Sequence, residues 1–401
     1  MIRGATKDRR RYRGLFAVMG AVSILTAGCG SSASNVSSSA SSSQSTSSNS
    51  GSNSGLAYAQ SQVQKYLGAP TFSGPPALAK APDLTGKTIW YIPITNSVDS
   101  LAGIGTTMAA ALSHLGATVH VCDGGALPTT VSNCMSMAGQ QGAAAVVTSY
   151  IEYNMVPTAF QSLEAKNVPI LVAGEPVPSG VTPSANLQFL DANKQADLFQ
   201  ELNGYLTIAD SKGKANVLVV KLADSPETIH AYNLEIDVFK KYCPGCKVSS
   251  VSMQTATVSQ LPSAVSAALV SNPGTNYVNV PSDAFLPPVV GGIQSAGFAN
   301  KVKVIASDGG LAGLHDVAAG TVAYDPGSPI EWQGWQDANA VIRMLSGLSV
   351  IPEGAGPTRI FGASNIRSLD LTSANYLSTS FYGISQSAFE APYLSAWLAS
   401  K

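Results

Sequence analysis

The stretch Lys301–Gly310, K-V-K-V-I-A-S-D-G-G, decides how this chain is read. Val302–Ala306 is a short apolar run of the kind that forms a strand buried in a parallel sheet. It ends in a turn that carries one carboxylate, Asp308, backed by two glycines. In an open α/β sheet, ligands bind outside the carboxyl ends of the strands. A lone acid at that place is either a ligand contact or the N-cap of the next helix, a position that Asp favours. The rest of the chain separates these two readings.

Runs like this one recur on both sides of it. Upstream, Thr88–Ile94, Ala117–Val121, Ala143–Thr148 and Val168–Ala173 begin about 25 to 29 residues apart, the pitch of βα units. Gly116, Gly142 and Asn167 stand just ahead of the last three, where a helix C-cap belongs. A second set follows: Ala215–Val220, Lys247–Met253, Asn276–Val280 and Val302–Ala306. Asp191–Asp210 reads as a helix crossing from one set to the other, and Thr321–Tyr324 as one further strand. Pro329–Leu348 and Ser387–Ser400 read as helices, and the tail between them carries few signals. The fold class expected is α/β, with two successive doubly wound (Rossmann-like) lobes and a ligand cleft between them.

The polar groups just past the strands form the candidate site. They are Asn96 and Asp99 after the first strand, Ser149, Tyr150 and Tyr153 after the third, and Glu175 after the fourth. In the second half they are Ser282 and Asp283, then Asp308, then Tyr324. Glu152, Asp224, Glu227 and Asp325 stand at the same edges. Carboxylates and amides hydrogen-bond hydroxyl groups, and aromatic rings stack on the apolar face of a sugar or ring ligand. Each residue alone reads as a cap or turn; their recurrence at one edge of both sets carries the argument.

Several chemistries lack support. The formal net charge of −1 leaves no basic excess to neutralise phosphates, so no nucleic-acid partner is expected. Gly103 and Gly105 lie too far past the first strand for a dinucleotide turn, and Met108 occupies the third glycine position. The chain has no Walker A motif, no G-x-S-x-G and no H-E-x-x-H, and its four histidines are scattered. The expectation is a binding protein with no catalysis, no cofactor and no metal.

The N-terminus reads as a targeting segment. Lys7, Arg9, Arg10, Arg11 and Arg13 precede an apolar run, Leu15–Ala27, of signal-peptide length. It ends in L-T-A-G-C at Cys29, which resembles a bacterial lipoprotein signal whose Cys is lipidated. Ser31–Gly55, nearly all Ser, Asn, Ala and Gly, reads as a flexible tether. Cys122, Cys134, Cys243 and Cys246 remain, an even number that suggests two disulfides. Three connectivities are open, and proximity favours Cys122–Cys134 and Cys243–Cys246. The C-P-G-C unit follows a helical run instead of opening one, which favours a structural clip over a redox pair.

The motifs G-K-T-I-W-Y-I-P (Gly86–Pro93), K-Y-C-P-G-C-K-V (Lys241–Val248), V-K-V-I-A-S-D-G (Val302–Gly309) and E-W-Q-G-W (Glu331–Trp335) resemble a known family. It is that of the type I periplasmic (solute) binding proteins of ABC importers, the ribose/sugar-binding branch, in lipoprotein form. The resemblance runs from Gly86 to about Ile366. It implies two lobes joined by three crossovers and closing over a small-molecule ligand. It implies a first lobe of 87–205 plus about 325–350, and a second of 206–324 plus about 351–401 with the tail. Residues 1–28 would be signal peptide, 29–55 lipidated Cys and tether, and 56–86 a lead-in. It also implies an ABC permease partner, a monomer, and an extracytoplasmic place on the outer face of the cytoplasmic membrane, held by the lipid. Asp308 matches the Asp that contacts ligand hydroxyls in sugar-binding members. The family's N-D pair becomes Ser282-Asp283, its D-R clamp becomes Gly174-Glu175, and its Asn after the third strand becomes Ser149 beside Tyr150. Loss of the Arg and both Asn residues points to a different sugar, a polyol, or a less polar ring compound using Tyr150, Tyr153 and Tyr324.

Overall fold

The computed structural model describes residues 49–398 apart from 81, 353 and 374. The expected signal peptide, Cys29 and most of the tether lie outside the described residues. The first sheet has the order β2-β1-β3-β4-β5, from Thr88–Pro93 (β1), Thr118–Val121 (β2), Ala145–Ser149 (β3), Ile170–Gly174 (β4) and Leu187–Asp191 (β5). All of its pairings are parallel. The second has the order β11-β10-β9-β8-β6-β7, from Asn216–Leu222 (β6), Lys247–Met253 (β7), Tyr277–Asn279 (β8), Lys303–Ile305 (β9), Tyr324–Gly327 (β10) and Arg359–Gly362 (β11). Only β11 runs antiparallel.

Helices cover both faces of each sheet, which is why the central strands read as unbroken apolar runs. In the first lobe, Asp99–Ser113 (α2) and Ile330–Leu345 (α10) pack on one face. Pro128–Gln140 (α3) and Pro157–Ala165 (α4) pack on the other. In the second lobe, Leu261–Ser271 (α7), Leu286–Ser295 (α8) and Leu311–Ala319 (α9) take one face. Asn49–Leu67 (α1), Asn193–Asp210 (α5) and Pro226–Tyr242 (α6) take the other. The start of α6 shows how sequence sets an element. Ser225 and Thr228 form a reciprocal capping box, Pro226 fills the first turn, Glu227 meets the positive end of the dipole, and Lys240 and Lys241 sit at the negative end.

The structure corrects several expectations. Strand β5 was absent from the sequence reading; L-Q-F-L-D runs directly into a helix and carries half-buried polar positions. Helix α5 packs on α6 in the second lobe, so the boundary falls near Asp191 and not at 205. Strand β10 is Tyr324–Gly327 instead of Thr321–Tyr324, and it belongs to the second sheet. An Asp and a Pro inside a central strand hid it. Pro326 is tolerated because its carbonyl accepts from Asp308 N at 2.9 Å, which needs no N–H from the ring. Helix α1 begins inside the expected tether, anchored by Ala59 and Val63 in the second core. Gly55 permits this docking, since a Cβ there would lie 2.2 Å from the Tyr242 carbonyl oxygen.

The tail also differs. Gln386–Leu398 (α11) was expected with the second lobe but packs in the first, where Trp397 stacks on Trp335 at 5.4 Å between ring centres. Three crossovers join the lobes as the resemblance implied: after β5, after β10 and after α10. Two more come from outside the resembling stretch. The lead-in passes from α1 in the second core to Phe72, Leu78 and Leu84 in the first, and the tail passes from Tyr382 in the second to Phe389 in the first. The two extra passages meet, with Phe72 against Phe389 and Tyr393, and Leu78 N donating to Ala396 O. Both disulfides join the Cys pairs favoured by proximity, Cys122–Cys134 and Cys243–Cys246.

Candidate functional site

The carboxyl ends of the two sheets face each other. The clearest sign is electrostatic: Asp308 of the second lobe acts on the phenol of Tyr150 of the first. Glu227, at the start of α6, likewise acts on Glu175 across the gap.

On the second-lobe side, the turn after β9 presents Asp308 with φ 108°, a backbone conformation that non-glycine residues rarely adopt. Its N–H is tied to Pro326 O, and it bridges to Gly327 at the end of β10. Gly309 and Gly327 touch backbone to backbone there; a Cβ on Gly309 would come within 2.7 Å of the Gly327 Cα. The alternative role for Asp308, as a helix cap, is not the one observed. The N-cap of α9 is Gly310, and no side chain caps it. The Asp308 side chain is solvent-accessible, yet protein atoms crowd around it. That crowding raises its pKa to about 7, opposed by the Ser282 hydroxyl. Ser282 also caps the turn Asp283–Phe285 by accepting from Ala284 N. Asp283 and Asp325 lie behind Asp308, bonded to the Gly310 and Gly309 N–H groups respectively.

On the first-lobe side, Ser149 ends β3, fully buried, with its hydroxyl beside the phenol of Tyr91. Tyr150 follows with φ 54°, another left-handed non-glycine residue. Its ring lies over Gly174, where a Cβ would sit 3.0 Å from three ring carbons. Tyr150 is 36% exposed, but its hydroxyl end is hemmed in by both lobes. Desolvation first, then the charges of Asp337, Asp308 and Glu175, push its pKa far up, while Gln333 hydrogen-bonds it. Glu175 has a pKa raised to about 7, by burial first and then by Glu152 and Glu227. Among the described residues, no cation acts on Glu175 or Asp308.

The structure therefore brings Ser149, Tyr150, Glu175, Ser282, Asp283 and Asp308 to the facing edges, and leaves others elsewhere. Tyr153 is buried in the first-lobe core, stacked on Phe160 at 4.8 Å, because it starts a short 3-10 turn that points inward. Tyr324 opens β10 at the far edge and donates to Asp210 at the end of α5. Asp99, exposed in the first turn of α2, acts on Tyr376 of the second-lobe core and so also faces the other lobe. Asn96 donates through its backbone to Asp123, which also accepts from Gly125 and so holds the loop after β1. Gln333 and Tyr382 were missed. Gln333 lay inside the quoted E-W-Q-G-W motif, while Tyr382 sits in a tail without periodicity. Among the described residues no group of three potential metal ligands comes together.

Volume and chemistry point to different places. A cavity of about 440 Å3 lies between the lead-in (Lys65 to Pro76), Leu198, Trp332 and the crossover from Ile351 to Thr358. Beside Tyr150, Gly174 and Gln333 only about 30 Å3 is open. We place the site at the strand edges. There the left-handed residues and the acids converge at the carboxyl ends of both sheets, where open α/β sheets bind their ligands, and none of these residues lines the larger cavity.

No family model and no curated protein sequence matches the chain. Solved structures do. A periplasmic ribose ABC transporter protein from Conexibacter woesei aligns with TM-score 0.60 and 17% identity, over 72% of this chain and 95% of its own. A periplasmic solute-binding protein from Actinobacillus succinogenes with bound D-allose gives 0.59 and 15%, over 70% and 99%. A Mycobacterium smegmatis protein in complex with β-D-fucofuranose gives 0.58 and 15%, over 74% and 98%. The chain has the fold of a type I periplasmic binding protein. These proteins are covered almost whole, so the surplus in this chain lies outside their common frame.

Proposed function

We propose that the chain is an extracytoplasmic solute-binding lipoprotein that captures a sugar or related polyol in the cleft and delivers it to an ABC importer. The observation that carries this reading is the convergence of Asp308, Glu175 and Tyr150 from two lobes, with no cation among the described residues acting on either acid. Carboxylates accept hydrogen bonds from hydroxyl groups strongly, and an anionic ligand would meet repulsion instead. Tyr150 offers a ring face for the apolar side of a sugar. An all-aromatic site is less favoured, since Tyr153 and Tyr324 lie away from the cleft.

The mechanism is hinge closure without catalysis: ligand bridging both edges selects the closed state. The signal-like N-terminus with Cys29 supports export and a lipid anchor at the outer face of the cytoplasmic membrane, and a permease would read the closed lobes. The test is a thermal-shift screen with neutral monosaccharides, polyols and sugar acids. At a hundred times Kd, a ligand adds about 2.7 kcal/mol to stability. A rise of the melting temperature with neutral polyhydroxyl compounds is expected. A rise with sugar acids alone, or none across the panel, contradicts the reading.

A further inference from the structure

Behind Asp308, two acids from different strand ends hold consecutive backbone groups. Asp325, inside β10, accepts from Gly309 N at 3.1 Å through Oδ1, and Asp283, just past β8, accepts from Gly310 N at 2.6 Å through Oδ2. These are the two N–H groups immediately after Asp308. The remaining oxygens, Asp325 Oδ2 and Asp283 Oδ1, are both buried, and no donor among the described residues reaches either. Each carboxyl nevertheless has the other as a hydrogen-bonding neighbour. Two acceptor oxygens bond only if a proton lies between them. Adjacent buried carboxylates do not both ionise.

Among the described residues, no cation acts on either acid. Asp308 from the turn acts on both acids, and Asp316 from α9 acts on Asp325. From the tail, Tyr382 responds to all three acids and to Tyr376. Arg359 on the neighbouring β11 lies over the Phe361 ring and donates to Phe381 O. The sequence makes room for the pair: a Cβ on Gly313 would lie 2.4–2.5 Å from the Asp283 carboxyl atoms.

We infer that Asp283 and Asp325 share a single proton and act as positioning residues, the bonded pair fixing the Gly309–Gly310 backbone and so aiming Asp308 into the cleft. The proton sharing stands on the two bonds to consecutive amides and on the two buried oxygens left without a donor; its consequence for ligand rests on the cleft reading given above. With one proton, the pair presents one carboxylate and one acid, and all four of its oxygens are engaged. Without it, two like charges repel across the bond and the turn loosens. Burial first, then neighbouring acids, raises the pKa of both members of the pair.

The test needs no ligand, so it fails or succeeds separately from the sugar reading. The full chain, labelled with 13Cγ-aspartate and 15N-glycine, is titrated by NMR from pH 4 to 9. Asp283 and Asp325 are expected to titrate together, with a last step well above the ordinary carboxyl range that the Gly309 and Gly310 amides follow. Asp325→Asn, which keeps an acceptor for Gly309 and supplies a permanent donor to Asp283, removes that step while leaving the Gly310 amide shift in place. Asp325→Ala speeds exchange of the Gly309 amide at least tenfold. Independent titration of both acids below pH 5 in the unsubstituted protein overturns the inference, and so does an unchanged upper step in Asp325→Asn. The first of these readings needs no variant to fold.

Discussion

The two edges of the cleft are built in opposite ways. The second-lobe edge is a network: Asp308 stands on a turn held by Asp283, Asp325, Ser282 and the carbonyl of Pro326. The first-lobe edge is a surface: Tyr150 lies on the bare backbone of Gly174, and Glu175 follows it with other acids as its electrostatic neighbours. A supported group and an unsupported one answer differently to substitution. Changes behind Asp308 are felt as folding energy, whereas changes at Tyr150 are felt by the ligand.

The largest expected effect is on binding. Asp308→Ala removes a charged acceptor worth about 1.5–3 kcal/mol, a loss of roughly ten- to a hundredfold in affinity by calorimetry. Equal loss from Tyr324→Phe, whose hydroxyl is bonded to Asp210 at the far edge, would erase the distinction. Next comes Gly313→Ala, which drives a methyl group into the Asp283 carboxyl and forces the network apart. Overpacking of this kind costs about 1–3 kcal/mol, read as a lower denaturation midpoint. At the other edge, Tyr150→Gly should have divided results. It relieves a left-handed conformation by about 1 kcal/mol, raising stability, while ligand affinity falls.

Stability should also follow pH in one direction. Glu175 and Asp308 are raised to about 7, and Asp325 and Glu235 to about 8. A raised acid keeps its proton in the fold while the unfolded chain has lost it, so stability is full below about pH 4 for these groups and declines as pH rises toward 8. The melting temperature should fall between pH 5 and 8.5. Glu235 is fully buried on α6 and accepts from Asn279 Nδ2 at 2.6 Å. Glu235→Gln should flatten part of that slope without touching affinity, the smallest effect and the one that separates core acids from cleft acids. A slope of opposite sign would show that these carboxyls ionise freely in the fold.

Much of the frame was legible because buried parallel strands read as apolar runs. Ala143–Thr148 and Val168–Ala173 needed no more than that. Strands β5 and β10 were not legible: one carries polar residues at half-buried positions, the other contains Asp325 and Pro326, and only pairing with neighbours reveals them. Asp308 was legible as the last polar residue of a strand-and-glycine turn. Tyr153 was misplaced because a three-residue step past Tyr150 turns the side chain from cleft to core. Tyr324 was misplaced with its strand: a shift of register moved it from the carboxyl edge to the far one. Tyr382 and Gln333 reach the site from distant segments, through contacts that local sequence does not encode.

The most direct measurement is a crystal structure of the chain with a sugar or polyol that raises its melting temperature. The account predicts ligand density between the strand edges, with an Asp308 carboxylate oxygen at hydrogen-bond distance from a hydroxyl group and Tyr150 and Glu175 on the opposite side. Density instead in the cavity between the lead-in and the crossover from Ile351 to Thr358 would contradict it.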